Sequence, residues 1–120
     1  MAVTAVTVSA HPAEPTDVTS GLTTLASTGS GNGFQIPYVN AYIVVLVNDS
    51  GSNATVTFKV PQPTEYSDRS ITIPDDTVAI NNGEHFTWIP NAIFKDSNEN
   101  IEIEATQLIK CKVYSEPIRG

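Results

Sequence analysis

Short runs in which apolar and polar residues alternate with period two punctuate the chain, the signature of half-buried β-strands. The clearest is residues 41–60, AYIVVLVNDSGSNATVTFKV. In its second half Ala54, Val56, Phe58 and Val60 fall on one face, and Thr55, Thr57 and Lys59 on the other. Its first half places Tyr42, Val44 and Leu46 on one face and Ile43, Val45 and Val47 on the other, so both faces are apolar. With Asp49-Ser50-Gly51-Ser52-Asn53 between them, the two runs predict a β-hairpin with strands over 41–48 and 54–60. One strand has water on one side. Its partner has water on neither, and something must cover its second face.

Further strands are predicted over 2–8, over 70–73 ending at Pro74, and over 77–80 and 85–89. The last two flank Asn81-Asn82-Gly83-Glu84, where Asn-Gly predicts a type I′ hairpin turn. Ile101, Ile103 and Ala105 alternate with Glu102 and Glu104, and a final strand covers 108–114. No segment has helical periodicity. Residues 9–40 are rich in Pro, Gly, Ser and Thr and predict a long loop or extended arm, with room for a short strand around 22–25.

Seven or eight short strands between turn signals predict an all-β protein: one antiparallel β-sandwich domain over 1–120, Ig-like or jelly-roll-like, with 9–40 as its arm. A true immunoglobulin domain is disfavoured because the chain has one cysteine. The inner faces would take Val56, Phe58, Ile71, Ile73, Phe86, Trp88, Ile101 and Ile103. For the second face of 42–47 two covers are open: the chain's own arm, through Leu22, Leu25, Phe34 or Ile36, or another subunit. Those four residues with Ile43, Val45 and Val47 are the candidate interface set.

A chain of 120 residues with 40% hydrophobic content suffices for one modest core. The longest apolar run, 41–47, is strand length and far short of the roughly 20 residues that span a bilayer, so no membrane association is expected. The opening MAVTAVTVSAHPA lacks a basic region and alternates with threonine, so it reads as a first strand and not a targeting segment. Net charge is −7, with six scattered basic residues. That argues against nucleic-acid binding and points to a protein partner.

Candidate chemistry is sparse. Cys111 shares a face with Ile109 and Val113 and reads as a core residue. Asp96-Ser97-Asn98-Glu99-Asn100 imitates the start of a calcium loop, but Ile101 stands where glycine is needed and Gln107 where a bidentate glutamate is needed. It reads as a turn, and no metal or cofactor is expected. His11 with Glu14, and His85 with Glu84, are chance adjacencies without a nucleophile in a recognisable setting, so no enzymatic activity is expected. Asn48-Asp49-Ser50 and Asn53-Ala54-Thr55 are formal glycosylation sequons that read as turn residues. Trp88 alternates in phase with Phe86, which favours a core role over an exposed anchor.

The layout resembles the small β-sandwich capsid decoration, or cement, proteins of tailed bacteriophages. The resemblance lies in the opening MAVTAVTVS, the Gly31-Asn32-Gly33-Phe34 element, the 41–60 segment, ITIP at 71–74 and WIPNAIFKDSNENIEIE at 88–104. It covers most of the chain. It implies a structural role on the capsid exterior, with the major capsid protein as partner, often as homotrimers bridging capsomers. The same broad class includes head–tail and tail components. A carbohydrate- or surface-binding module is the alternative of a different kind, and it would need an aromatic platform drawn from Tyr38, Tyr42, Tyr66 and Trp88.

Overall fold

A computed structural model describes residues 3–9, 22–61 and 75–115. Their strands are β1 (Thr4–Ala5), β2 (Val8–Ser9), β3 (Thr23–Thr24), β4 (Phe34–Pro37), β5 (Ile43–Val47), β6 (Ala54–Phe58), β7 (Asp76–Ile80), β8 (His85–Trp88), β9 (Asn100–Ala105) and β10 (Lys110–Tyr114). The first sheet runs β1-β4-β9-β6-β7. The second runs β2-β10-β5-β8, and β3 also pairs with β10. The predicted strand over 70–73, with Ile71 and Ile73, lies outside the described residues, as do 10–21, Tyr66, His11 and Glu14.

The pairing is nested. β3 pairs with β10, β4 with β9, β5 with β8 and β6 with β7, every pair antiparallel. This is one long hairpin, rolled so that β10 meets β5 and β9 meets β6. The two resulting four-strand layers, β3-β10-β5-β8 and β4-β9-β6-β7, are those of a jelly roll. Of the two sandwich types that the alternation allows, the chain adopts this one. The N-terminal segment adds the only parallel pairings among the described residues, β1 with β4 and β2 with β10. The single strand expected over 2–8 is therefore split. The chain crosses from one sheet to the other at Val6, which is buried between them.

Both predicted hairpins are arches instead. β5 and β6 lie in different sheets, and so do β7 and β8. Neighbours in sequence usually pair, but here Asn48 holds the corner open. It is completely buried. Its Nδ2 donates to Ser52 O (2.8 Å) and Ile80 O (2.7 Å), and its Oδ1 accepts from Ser50 N (3.1 Å). Its backbone N–H donates to Glu84 O and its carbonyl accepts from Gly83 N. The two arches are further laced by Gly51 N to Asn82 Oδ1 and Asn82 N to Asn53 Oδ1. Gly83 alone in the second arch has positive φ, +87°, so the type I′ turn, which needs it at Asn82 as well, does not form.

The core fills the space between the sheets. Phe34 and Ile36 from β4, Val44 and Leu46 from β5, Val56 and Phe58 from β6, Ile101 and Ile103 from β9, and Cys111 and Val113 from β10 are all buried there. Phe58 packs against Trp88 with ring centres 4.7 Å apart and the planes tilted by 44°, and Trp88 meets Phe94 edge-on at 5.2 Å. Phe86 and Trp88 pack against this core half-buried. Phe94 closes a 3-10 turn, Ala92–Phe94, capped by Asn91, whose side chain accepts from Ile93 N.

Candidate functional site

The outer face of the second sheet answers the question raised by the doubly apolar strand. In β5 the inward residues are Val44 and Leu46, so Ile43, Val45 and Val47 point outward. Cross-strand register builds rows on that face: Lys110–Val47–His85, Lys112–Val45–Thr87 and Tyr114–Ile43. Although outward, Val45 and Val47 keep only 4% and 7% of their exposure and Tyr114 only 5%. They form a second, smaller apolar cluster against which Leu22 and Ile43 pack.

The candidate interface set thus divides. Leu22, Ile43, Val45 and Val47 come together on this face. Leu25, Phe34 and Ile36 do not; they are buried in the main core. Phe34 and Ile36 alternate with Gln35 and Pro37 in β4, which stands between β1 and β9 with its apolar side inward. Leu25 is drawn inward where its backbone N–H donates to Ile109 O at 2.9 Å. Within 22–40 the predicted arm is therefore partly strand, β3 and β4. Tyr114 is a cover that the alternation analysis missed. Its signal is present in the sequence, because Ile109, Cys111 and Val113 facing inward put Lys110, Lys112 and Tyr114 outward together.

Two of the chain's six basic residues, Lys110 and Lys112, lie on this face. Lys110 Nζ pairs with Asp49 Oδ2 at 2.7 Å, and Lys112 Nζ sits 5.3 Å from the Tyr114 ring centre. Their aliphatic stems flank the valines while the charged ends reach outward. Trp88 stands opposite Val44 in β8, so Ile89, next along, arrives at the Ile43 end of the sheet, where it is 61% exposed. Tyr42 is exposed at the same end.

The other candidates resolve as local structure. Cys111 is buried, and burial pushes its thiol up to about 12, which suits a core residue and not a nucleophile. Asp96 Oδ1 accepts from Asn98 N and Asn100 N, making the acidic stretch a self-bonded turn braced by Lys95–Glu99 at 2.9 Å. Among the described residues no three His, Cys, Asp or Glu side chains gather to hold a metal. Asn48 is buried with both amide protons donated, so its sequon is closed in the folded chain. Among the candidate platform aromatics, Trp88 is packed within the sandwich, Tyr38 lies under Lys95 and Tyr42 stands exposed. No family model, no curated protein and no solved structure matches this chain.

Proposed function

We propose that this protein is a structural capsid decoration subunit that binds the outer surface of a tailed-phage capsid, meeting the major capsid protein and further copies of itself. The observation that carries the reading is the open apolar margin at the Ile43 end of the second sheet's outer face. The apolar rows of that face, with Lys110 and Lys112 beside them on β10, run out to Ile43, Ile89 and Tyr42 at one end, on a chain otherwise strongly acidic. A half-open apolar margin of this kind suits a protein interface better than solvent. The sequence resemblance supplies the partner. A jelly roll hosts many functions, so the fold alone adds nothing to that choice. The test is addition of the purified chain to preformed capsids that lack it, followed by sedimentation. Saturable co-sedimentation, lost in Ile89→Asp with the fold retained, is expected. Absence of binding by the intact chain overturns the proposal.

A further inference from the structure

The chain has two Asn-Gly steps, Asn32-Gly33 on the 28–33 loop and Asn82-Gly83 on the second arch. Asn-Gly is prone to self-cyclisation because no Cβ hinders the glycine nitrogen. That nitrogen gives up its proton to hydroxide and attacks the asparagine Cγ. The new N–C bond closes a succinimide, and ammonia leaves with a proton taken from water. Water then opens the ring to aspartate or isoaspartate. Ring closure requires the glycine nitrogen to swing against the side-chain carbonyl carbon, and the two sites differ in whether the fold allows that swing. At the first, Gly33 is buried, and a Cβ on it would fall 2.5 Å from Ile103 O and 3.0 Å from Glu104 Cγ. Its carbonyl accepts from Thr4 N at 3.0 Å. Asn32 Nδ2, the nitrogen that would leave, donates to Thr28 O at 2.8 Å. Gly31 N donates to Glu104 Oε2 at 2.6 Å, which fixes the loop on β9.

At the second site Asn82 and Gly83 are exposed, and a Cβ on Gly83 would meet nothing within 4 Å. One bond opposes the attack: Gly83 N donates to Asn48 O at 2.6 Å. Another favours it: Asn82 Oδ1 accepts from Gly51 N at 2.9 Å, so a donor already stands at the oxygen where negative charge develops as the ring closes. We propose that Asn82 is a site of spontaneous deamidation in the folded protein, with Gly83 N as the nucleophile, while Asn32 is protected by its seat on β9. The conversion acts on the lacing of the two arches. Ring closure takes the Gly83 hydrogen away from Asn48 O. Isoaspartate then places one more methylene in the backbone between positions 82 and 83, which draws Gly83 N off that carbonyl. The corner held by Asn48 slackens, and a further negative charge is added to a chain already at −7.

The experiment holds the wild-type chain at mildly alkaline pH, folded and in denaturant, and follows amide-to-acid conversion at each asparagine by peptide mapping with mass spectrometry. In denaturant the two Asn-Gly steps are expected to convert at similar rates, because their glycines are then equally free. In the folded chain Asn82 is expected to convert faster than Asn32 by about tenfold or more. The modified fraction is expected to lose hydrogen-exchange protection at the Gly83 amide. A ratio of Asn82 to Asn32 conversion no higher in the folded chain than in denaturant overturns the proposal, as does a folded chain in which Asn82 does not convert.

Discussion

The two outer faces of this sandwich are built on the same strand period and meet opposite fates. On the first sheet β6 shows water Thr55 and Thr57, β4 shows Gln35 and β9 shows Glu102, with Glu104 outward but buried. On the second sheet β5 shows Val45 and Val47, and both are nearly as buried as the residues behind them. The contrast explains why one run of the sequence alternates and the other does not. A strand with solvent on one side needs apolar residues at every second position. A strand between two apolar layers needs them everywhere. The second layer is assembled by the chain itself, from Tyr114 on the neighbouring strand and Leu22 ahead of β3. Each valine so covered contributes about 1.5–3 kcal/mol relative to leaving it in water.

The core shared by both sheets sets the scale for that contrast. Phe58→Ala removes a ring that contacts Phe86, Trp88 and Phe94, and chemical denaturation should show a loss of about 3–5 kcal/mol. A loss below about 1 kcal/mol would mean that the inner face is misassigned.

A reciprocal exchange sharpens the comparison of the outer faces. Val45→Thr places a hydroxyl in the covered layer at nearly unchanged volume, and should cost about 1–3 kcal/mol in a denaturant titration. Thr57→Val makes the reverse change on the polar face, and should move stability by no more than about 0.5 kcal/mol. Equal effects at the two positions would erase the distinction.

The polar face has its own pH signature. Glu102 is raised in the folded chain, so the stability it contributes is present below 4.5 and is lost as pH rises through the folded value. Glu102→Gln should therefore be more stable than wild type at neutral pH, and gain nothing well below 4.5. Thermal melts at the two extremes of pH check this. Asp75 runs the other way: its carboxyl is lowered chiefly by Val60 N–H, with Lys59 adding to it, and burial opposing. Its contribution is present above 3.8 and fades as pH falls through the depressed value. Because the Lys59–Asp75 side chains are about a third exposed, Asp75→Asn should cost no more than about 1 kcal/mol at neutral pH.

Much of this is legible in the sequence. The alternation in 54–58, 101–105 and 109–113 assigns strands and inner faces correctly, and Asp96–Asn100 reads rightly as a turn. What fails is connectivity. A five-residue link such as 49–53 closes a hairpin or an arch equally well in local terms. The choice falls to Asn48, whose amide reaches Ile80 O, 32 positions away. No periodicity reports a contact of that kind. Phe34 and Ile36 read as arm because polar and glycine-rich flanks hide a four-residue strand. Glu104 looks like an ordinary exposed residue of an alternating strand. Only the opposed Gly33 hints that its side chain has somewhere to go.

The central claim is that the chain by itself covers the outer face of its second sheet, and thiol labelling tests it most directly. Val45→Cys and Thr55→Cys would be treated with a thiol reagent in dilute solution, with the buried Cys111 as internal reference. The account predicts that a thiol at position 45 reacts as slowly as Cys111 at every protein concentration, while one at position 55 reacts readily. Equal reactivity at 45 and 55, or protection at 45 that appears only when the chain self-associates, would contradict it.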